Sequence, residues 1–262
     1  MNICLGFFGF TRQLINHEMF INFIKLLPNG SNIDIFISCP SKLDEIQTGD
    51  EINDVEFKTH MANVFKDCPV FINTYKYNPH DYIQKTRILE IPDYITTKRI
   101  YSFRILSLHF SISLLSNMIY DYTIKENKNY DKIILTRFDI FPTIESFGDC
   151  LTQTLEPTIH IWRTCPYKSS TDAEDRVIIT NILGLEKIRN LYTIYDNLNC
   201  YRTFSISNND FYSEYIIGTY LKSFDNIVLL PQDNIRVGLS SYRNVKYSND
   251  EHFKKLIGDY IV

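Results

Sequence analysis

Apolar and polar residues alternate along this chain in blocks whose lengths suit strands and helices by turns. Asn2–Phe8 is an apolar run that stops at Gly9, which predicts a buried strand. Over residues 13–27 the apolar positions Leu14, Phe20, Ile21, Phe23, Ile24 and Leu27 keep a helical spacing, and Pro28, Asn29 and Gly30 end it. Residues 33–39 predict a second strand closed by Pro40. A variable polar region follows around 41–59, and residues 69–73 predict a third strand. Residues 98–125 read as one long helix with an apolar stripe that needs cover. Beyond it lie a strand within 130–142, a short strand Ile159–Trp162, helices near 185–195 and 210–223, and a strand Ile227–Leu230. Strands separated by helices predict an α/β fold with a mostly parallel central sheet flanked by helices on both faces.

The segment 130–142, YDKIILTRFDIFP, carries the most chemical information. Ile133, Ile134 and Leu135 form the buried part of a strand. Alternation then sends Arg137 and Asp139 to the same face as Ile133 and Leu135. Open α/β sheets take their ligands beyond the carboxyl ends of their strands. A guanidinium and a carboxylate there can hold a phosphate together with a metal or a sugar hydroxyl. The alternative is an ion pair that merely caps the strand.

Three other constellations are candidates for chemistry. GFTR, Gly9 to Arg12, ends the first strand. The glycine permits a sharp turn, Thr11 can cap the following helix, and Arg12 can reach a phosphate or a base carbonyl. It is neither GxGxxG nor a P-loop, and an ordinary βα turn is the competing reading. Arg99 and Arg104 fall at the expected start of the long helix, five residues apart, so one faces the crevice and the other solvent. The acidic cluster Asp172, Glu174 and Asp175 precedes an apolar run. In NNDFYSEYIIGTYL, Asn209 or Asp210 is a good N-cap, and Asp210, Glu214, Gly218 and Leu221 share a helix face, which places Glu214 on the apolar side. A glutamate so placed is a general base, a ligand for hydroxyls, or the buried partner of an arginine.

Composition narrows the class. A chain of 262 residues with 44% hydrophobic and 22% charged residues is ordinary for a globular protein. A net charge of −4 gives no reason to expect nucleic acid as a partner. No run is long and apolar enough to span a bilayer, since that over 105–119 is short and interrupted by His109, Ser111 and Ser113. The start, MNICLGFFGF, lacks the basic segment of a signal peptide, so the expected location is cytoplasmic. The six cysteines form no CxxC and the six histidines no HxxxH, which argues for reduced thiols and against a zinc site.

Taken in order, FFGFTR, the DIFI of the second strand, YSFRILSL, YDKIILTRFD, DRVIIT and SEYIIGTYL resemble a family of small glycosyltransferase-like proteins known from bacteria and large DNA viruses. That family is similar to the GT-A fold, a nucleotide-diphosphosugar-binding α/β sandwich. The resemblance implies a single GT-A-like domain over 1–262, with a nucleotide-sugar-binding half (1–140) and an acceptor-side half (141–262). It implies a nucleotide-sugar donor, a glycan or glycoprotein acceptor, and a location in host cytoplasm or virion if the chain is viral. GT-A enzymes end a central strand in DxD, which binds Mn²⁺ or Mg²⁺. Here the triplet is Arg137-Phe138-Asp139, so the first aspartate is absent, and the resemblance implies that Asp139 either binds the metal alone among water ligands or hydrogen-bonds the ribose or donor sugar.

On this reading Gly9, Thr11 and Arg12 hold base, ribose or phosphate. Arg137, Arg104 and a metal on Asp139 stabilise the leaving diphosphate, and Asp175, Glu214 or Asp210 is the base. Two other readings stand beside it: a non-catalytic carbohydrate- or nucleotide-binding relative, and a sugar-nucleotide pyrophosphorylase.

Overall fold

The computed structural model describes residues 1–11, 23–42, 52–95, 100–138, 140–142, 151, 159–162, 177–196, 213–224, 227–230 and 237–239. Seven strands make one sheet. They are β1 (Asn2–Phe8), β2 (Asn32–Pro40), β3 (Val70–Tyr75), β6 (Lys132–Arg137), β8 (Ile159–Trp162), β9 (Val177–Thr180) and β10 (Ile227–Leu230), in the order β10-β8-β9-β6-β1-β2-β3. Neighbours β3, β2, β1 and β6 run parallel, as do β8 and β10, while β9 lies antiparallel to both β6 and β8. The expected mostly parallel sheet is present, with one reversed strand. Among the described residues two small ribbons accompany this sheet: β4 (Tyr94–Ile95) with β5 (Ile100–Tyr101), and β7 (Ile140–Pro142) with β11 (Val237–Leu239).

Both faces of the sheet are covered. On one, Ile3, Leu5, Phe7, Ile35, Ile37, Ile134, Phe138 and Ile179 pack with Phe23 and Leu27 and with Phe57 and Met61 of helix α1 (Asp54–Val64). Phe7 anchors this side, with rings of Phe23, Phe65 and Phe138 within about 6 Å. On the other, Cys4, Phe8, Phe36, Ile133, Leu135 and Ile178 meet α3 (Ser102–Lys125), α4 (Ile182–Ile188) and α5 (Ser213–Lys222). Gly6 lets α3 come close: a Cβ there would sit 2.9 Å from Leu115 Cδ2 and 3.1 Å from Ile119 Cδ1. A third cluster joins α2 (Pro79–Ile88), the first turns of α3, and Tyr195 and Ile216.

The structure corrects several expectations. The long helix starts at Ser102, because Ile100 and Tyr101 pair with Tyr94 and Ile95 instead. Arg104 lies in the first turn of this helix, and Arg99 lies outside the described residues. The region read as polar connector contains the start of α1, whose Asn53 side chain accepts from the N–H groups of Val55 and Glu56. The single helix expected over 185–195 is two elements: α4, capped by Asn181, then a 3-10 helix Leu191–Asp196. Helix α2 was not foreseen at all.

Candidate functional site

Strand alternation sorts the residues at the carboxyl ends of the parallel strands. Ile133 and Leu135 lie on the α3 face and Ile134 and Phe138 on the opposite one, so Arg137 belongs to the α3 face, as expected. It is half-buried at the last position of β6. Across the sheet Phe8 is the partner of both Arg137 and Ser38, and Ser38 pairs onward with Asn73. Asn73, Ser38, Phe8 and Arg137 thus form a row over four strand tips. Ser38 and Arg137 stand two strand spacings apart, about 10 Å.

Helix α3 extends over this edge. Leu108, Ile112, Leu115 and Ile119 follow each other at three- and four-residue steps and pack into the core of that face. Arg104 is one such step before Leu108, so it continues the same stripe past the strand tips. The level of those tips is marked by Tyr75, the last residue of β3, whose hydroxyl is 2.6 Å from Ser111 Oγ. Arg104 is seven residues nearer the helix start, about 10 Å farther out. Arg137 and Arg104 therefore stand toward the same face and edge of the sheet, one on β6 and one on the helix above it, and both bring positive charge there. The start of α3 adds to this field. Among the described residues no side chain caps it, and its first turn holds no carboxylate.

The turn after β1 borders the same edge. Gly9 has φ +87°, a left-handed conformation that glycine adopts without strain. A Cβ at Gly9 would meet nothing within 4 Å, so backbone conformation rather than crowding is what selects glycine. Thr11 is only 5% exposed, and its Oγ1 has no hydrogen-bond partner among the described residues. The same holds for Ser38 Oγ, which is fully buried. Buried hydroxyls left unmatched cost about 1–3 kcal/mol each, so two at one edge require an explanation. Sequence reasoning found Thr11 and missed Ser38. The signal was available: a serine interrupts the apolar run IDIFISC.

Helix α5 enters from the second half of the chain. Its first residue, Ser213, places Oγ 3.0 Å from Nε2 of His109 on α3. His109 lies between Arg104 and Ser111, so the backbone of Glu214 is fixed at the sheet edge that bears the arginines. The Glu214 side chain is outside what is described, as are Arg12, Asp139, Asp172, Glu174, Asp175, Asn209 and Asp210. Of the expected site residues, the described ones are Gly9, Thr11, Arg104, Arg137 and the Glu214 backbone, all toward the carboxyl edge of the parallel strands.

Among the described residues no three His, Cys, Asp or Glu side chains gather into a metal-binding group. Arg137, the last residue of β6, offers N–H donors and no oxygen ligand for a divalent ion. The described donor set at this edge suits an anion. Burial raises the thiol pKa of Cys4 and of Cys39, with Asp34 adding to it at Cys4 and Asp54 at Cys39, which disfavours the nucleophilic thiolate. No described helix is long and apolar enough to cross a membrane.

No protein-family model matches the chain, and no curated protein does. Similar solved structures include the apo form of mouse xyloside xylosyltransferase 1, at 10% identity over 88% of this chain and 85% of that one, with a TM-score of 0.44. The apo bifunctional glycosyltransferase WbbM is 12% identical over 88% of this chain, with a TM-score of 0.45, and the match spans 38% of its length. A glycosyltransferase involved in glycosylation of the major capsid of PBCV-1 is 10% identical over 88% of this chain and 81% of that one, with a TM-score of 0.38. At these identities no residue of this chain takes a role from them.

Proposed function

We propose that the chain is a GT-A-like glycosyltransferase that moves a sugar from a nucleotide-diphosphate donor to a hydroxyl acceptor. The observation that carries this reading is the carboxyl edge itself: Arg137 at the tip of β6 and Arg104 on α3, which packs over the same face of the sheet. Two guanidinium groups suit a diphosphate, because each offers paired, charge-assisted hydrogen bonds.

The chemical demand is charge. Transfer breaks the bond between the anomeric carbon and a diphosphate oxygen, and negative charge grows on the departing group. Fixed cations aimed at that oxygen stabilise the transition state more than the ground state, which is what raises the rate. Arg137 has that role, with Arg104 as the second cation. The acceptor hydroxyl loses its proton as it attacks, and Glu214, Asp175 or Asp210 takes it. Asp139 then holds ribose or donor sugar, or a Mn²⁺ or Mg²⁺ ion that would add to the positive charge. The half 1–140 supplies the donor pocket and 141–262 the acceptor side of one domain.

The test is a panel of UDP-, GDP- and dTDP-linked sugars, with and without Mn²⁺, scored for nucleoside diphosphate release and glycosidic product. Release from one donor is expected, with Asp139→Ala and Arg137→Ala each reducing it at least a hundredfold. Nucleotide binding with neither release nor transfer would instead favour the non-catalytic reading, and pyrophosphate formed from a nucleoside triphosphate and a sugar phosphate the pyrophosphorylase.

A further inference from the structure

His109 has no part in the reading above, yet it is the most constrained polar group on α3. It is fully buried, with Nδ1 2.7 Å from the Tyr195 hydroxyl and Nε2 3.0 Å from Ser213 Oγ. One imidazole thus ties three elements: α3, the 3-10 helix and the first residue of α5. Its neighbours on α3 are keyed in the same manner. Ser111 meets Tyr75 of β3, and Ser113 Oγ accepts from the Tyr192 N–H. At the start of the helix, Ser102 N–H donates to the Asp93 carbonyl and Ser102 Oγ to that of Pro92.

Apolar packing fixes how close two helices lie, but it tolerates small slides along the axis. Directional hydrogen bonds do not. A neutral imidazole has one donor and one acceptor, and hydroxyls can serve as either, so both bonds form in either tautomer. The link requires no charge.

We infer that His109 is a positioning residue that sets the first turn of α5, and with it Glu214, against the arginines of the strand edge. It couples the half of the chain bearing Arg104 and Arg137 to the half bearing the acceptor-side carboxylates. The coupling itself follows from the hydrogen bonds; its catalytic meaning rests on the glycosyltransferase reading. Loss of the link therefore lets α5 drift while the donor edge stays intact.

Hydrogen exchange on the full chain decides the coupling. In Ser213→Ala, amides of α5 and of the 3-10 helix are expected to exchange at least tenfold faster, with those of β1 and β6 within twofold of the parent. His109→Leu should do the same, and His109→Gln, whose amide reaches the Nε2 position, should restore most of the protection. Exchange in α5 unchanged in Ser213→Ala, or accelerated equally in α5 and the central strands, overturns the inference. The transfer assay reads the consequence. With a donor from the panel, Ser213→Ala should lower kcat at least tenfold and leave the donor KM within twofold; an unchanged kcat overturns the positioning role. A parent chain that releases no diphosphate from any donor sinks the glycosyltransferase reading instead, and the exchange result then stands alone on the coupling.

Discussion

The burial of His109 should make this protein less stable as the pH falls below 6.5, and the size of the effect follows from its surroundings. Burial pushes its pKa from 6.5 down to about 3, because a charged imidazole would lose its water and face only hydroxyls. A base whose pKa is lowered by folding binds protons preferentially in the unfolded chain. Above pH 6.5 it contributes no pH dependence. As pH falls through 6.5 the unfolded state gains a proton that the folded state refuses, and stability drops until about pH 3. At 1.36 kcal/mol per pH unit, the loss between pH 6.5 and 5 is about 2 kcal/mol. His109→Gln cannot titrate and serves as the reference. At pH 7.5 it should be less stable by about 1–2 kcal/mol, since the bond to Tyr195 is lost. At pH 5 that gap should close by about 2 kcal/mol. Urea unfolding of both chains at both pH values measures the double difference. A gap constant to within about 0.5 kcal/mol would mean that the imidazole titrates normally in the folded chain, and the buried link would be wrong.

Three further outcomes are expected. Gly6→Ala places a methyl 2.9 Å from Leu115 Cδ2, against side chains that are themselves buried, and should cost about 1–3 kcal/mol in thermal or urea unfolding. Thr11→Val removes a buried hydroxyl that has no partner among the described residues, so stability should hold or rise by up to about 1 kcal/mol in urea unfolding. Tyr130→Phe deletes the 2.6 Å bond to Asp34, leaving that buried carboxylate to the Lys128 ammonium at 2.8 Å. A loss of about 1–2 kcal/mol in unfolding is expected, with nucleotide binding unchanged, because the cluster sits at the opposite ends of the strands.

Much of this architecture was legible because apolar runs bounded by Gly and Pro are local signals. Strands β1, β2 and β6 and most of α3 were readable in that way, and the alternation in KIILTR correctly sent Arg137 to the face of Ile133 and Leu135. Helices α1 and α2 went unread although their starts carried caps: Asn53 ahead of Asp54, and Asn78 ahead of Pro79. Short helices with few apolar positions leave a weak periodic trace, and their existence owes more to packing by Phe57, Met61, Tyr82 and Ile83 than to pattern. The antiparallel direction of β9 leaves no mark in VIIT, since a strand buried on both faces reads the same either way. Among the candidate residues, charge and glycine are conspicuous in sequence and single out Gly9, Thr11, Arg104 and Arg137. Ser38 and His109 are not, because their significance lies in which elements they meet across 30 to 100 residues of chain, and no local pattern records that.

The central claim is that the tip of β6 holds the diphosphate of a donor through Arg137. Isothermal titration of UDP, GDP and dTDP into the parent chain and Arg137→Ala tests it most directly. One nucleoside diphosphate should bind the parent, and the variant, folded by circular dichroism, should bind it at least tenfold more weakly. Binding of equal strength in both chains, or none by the parent to any of the three, would contradict the account.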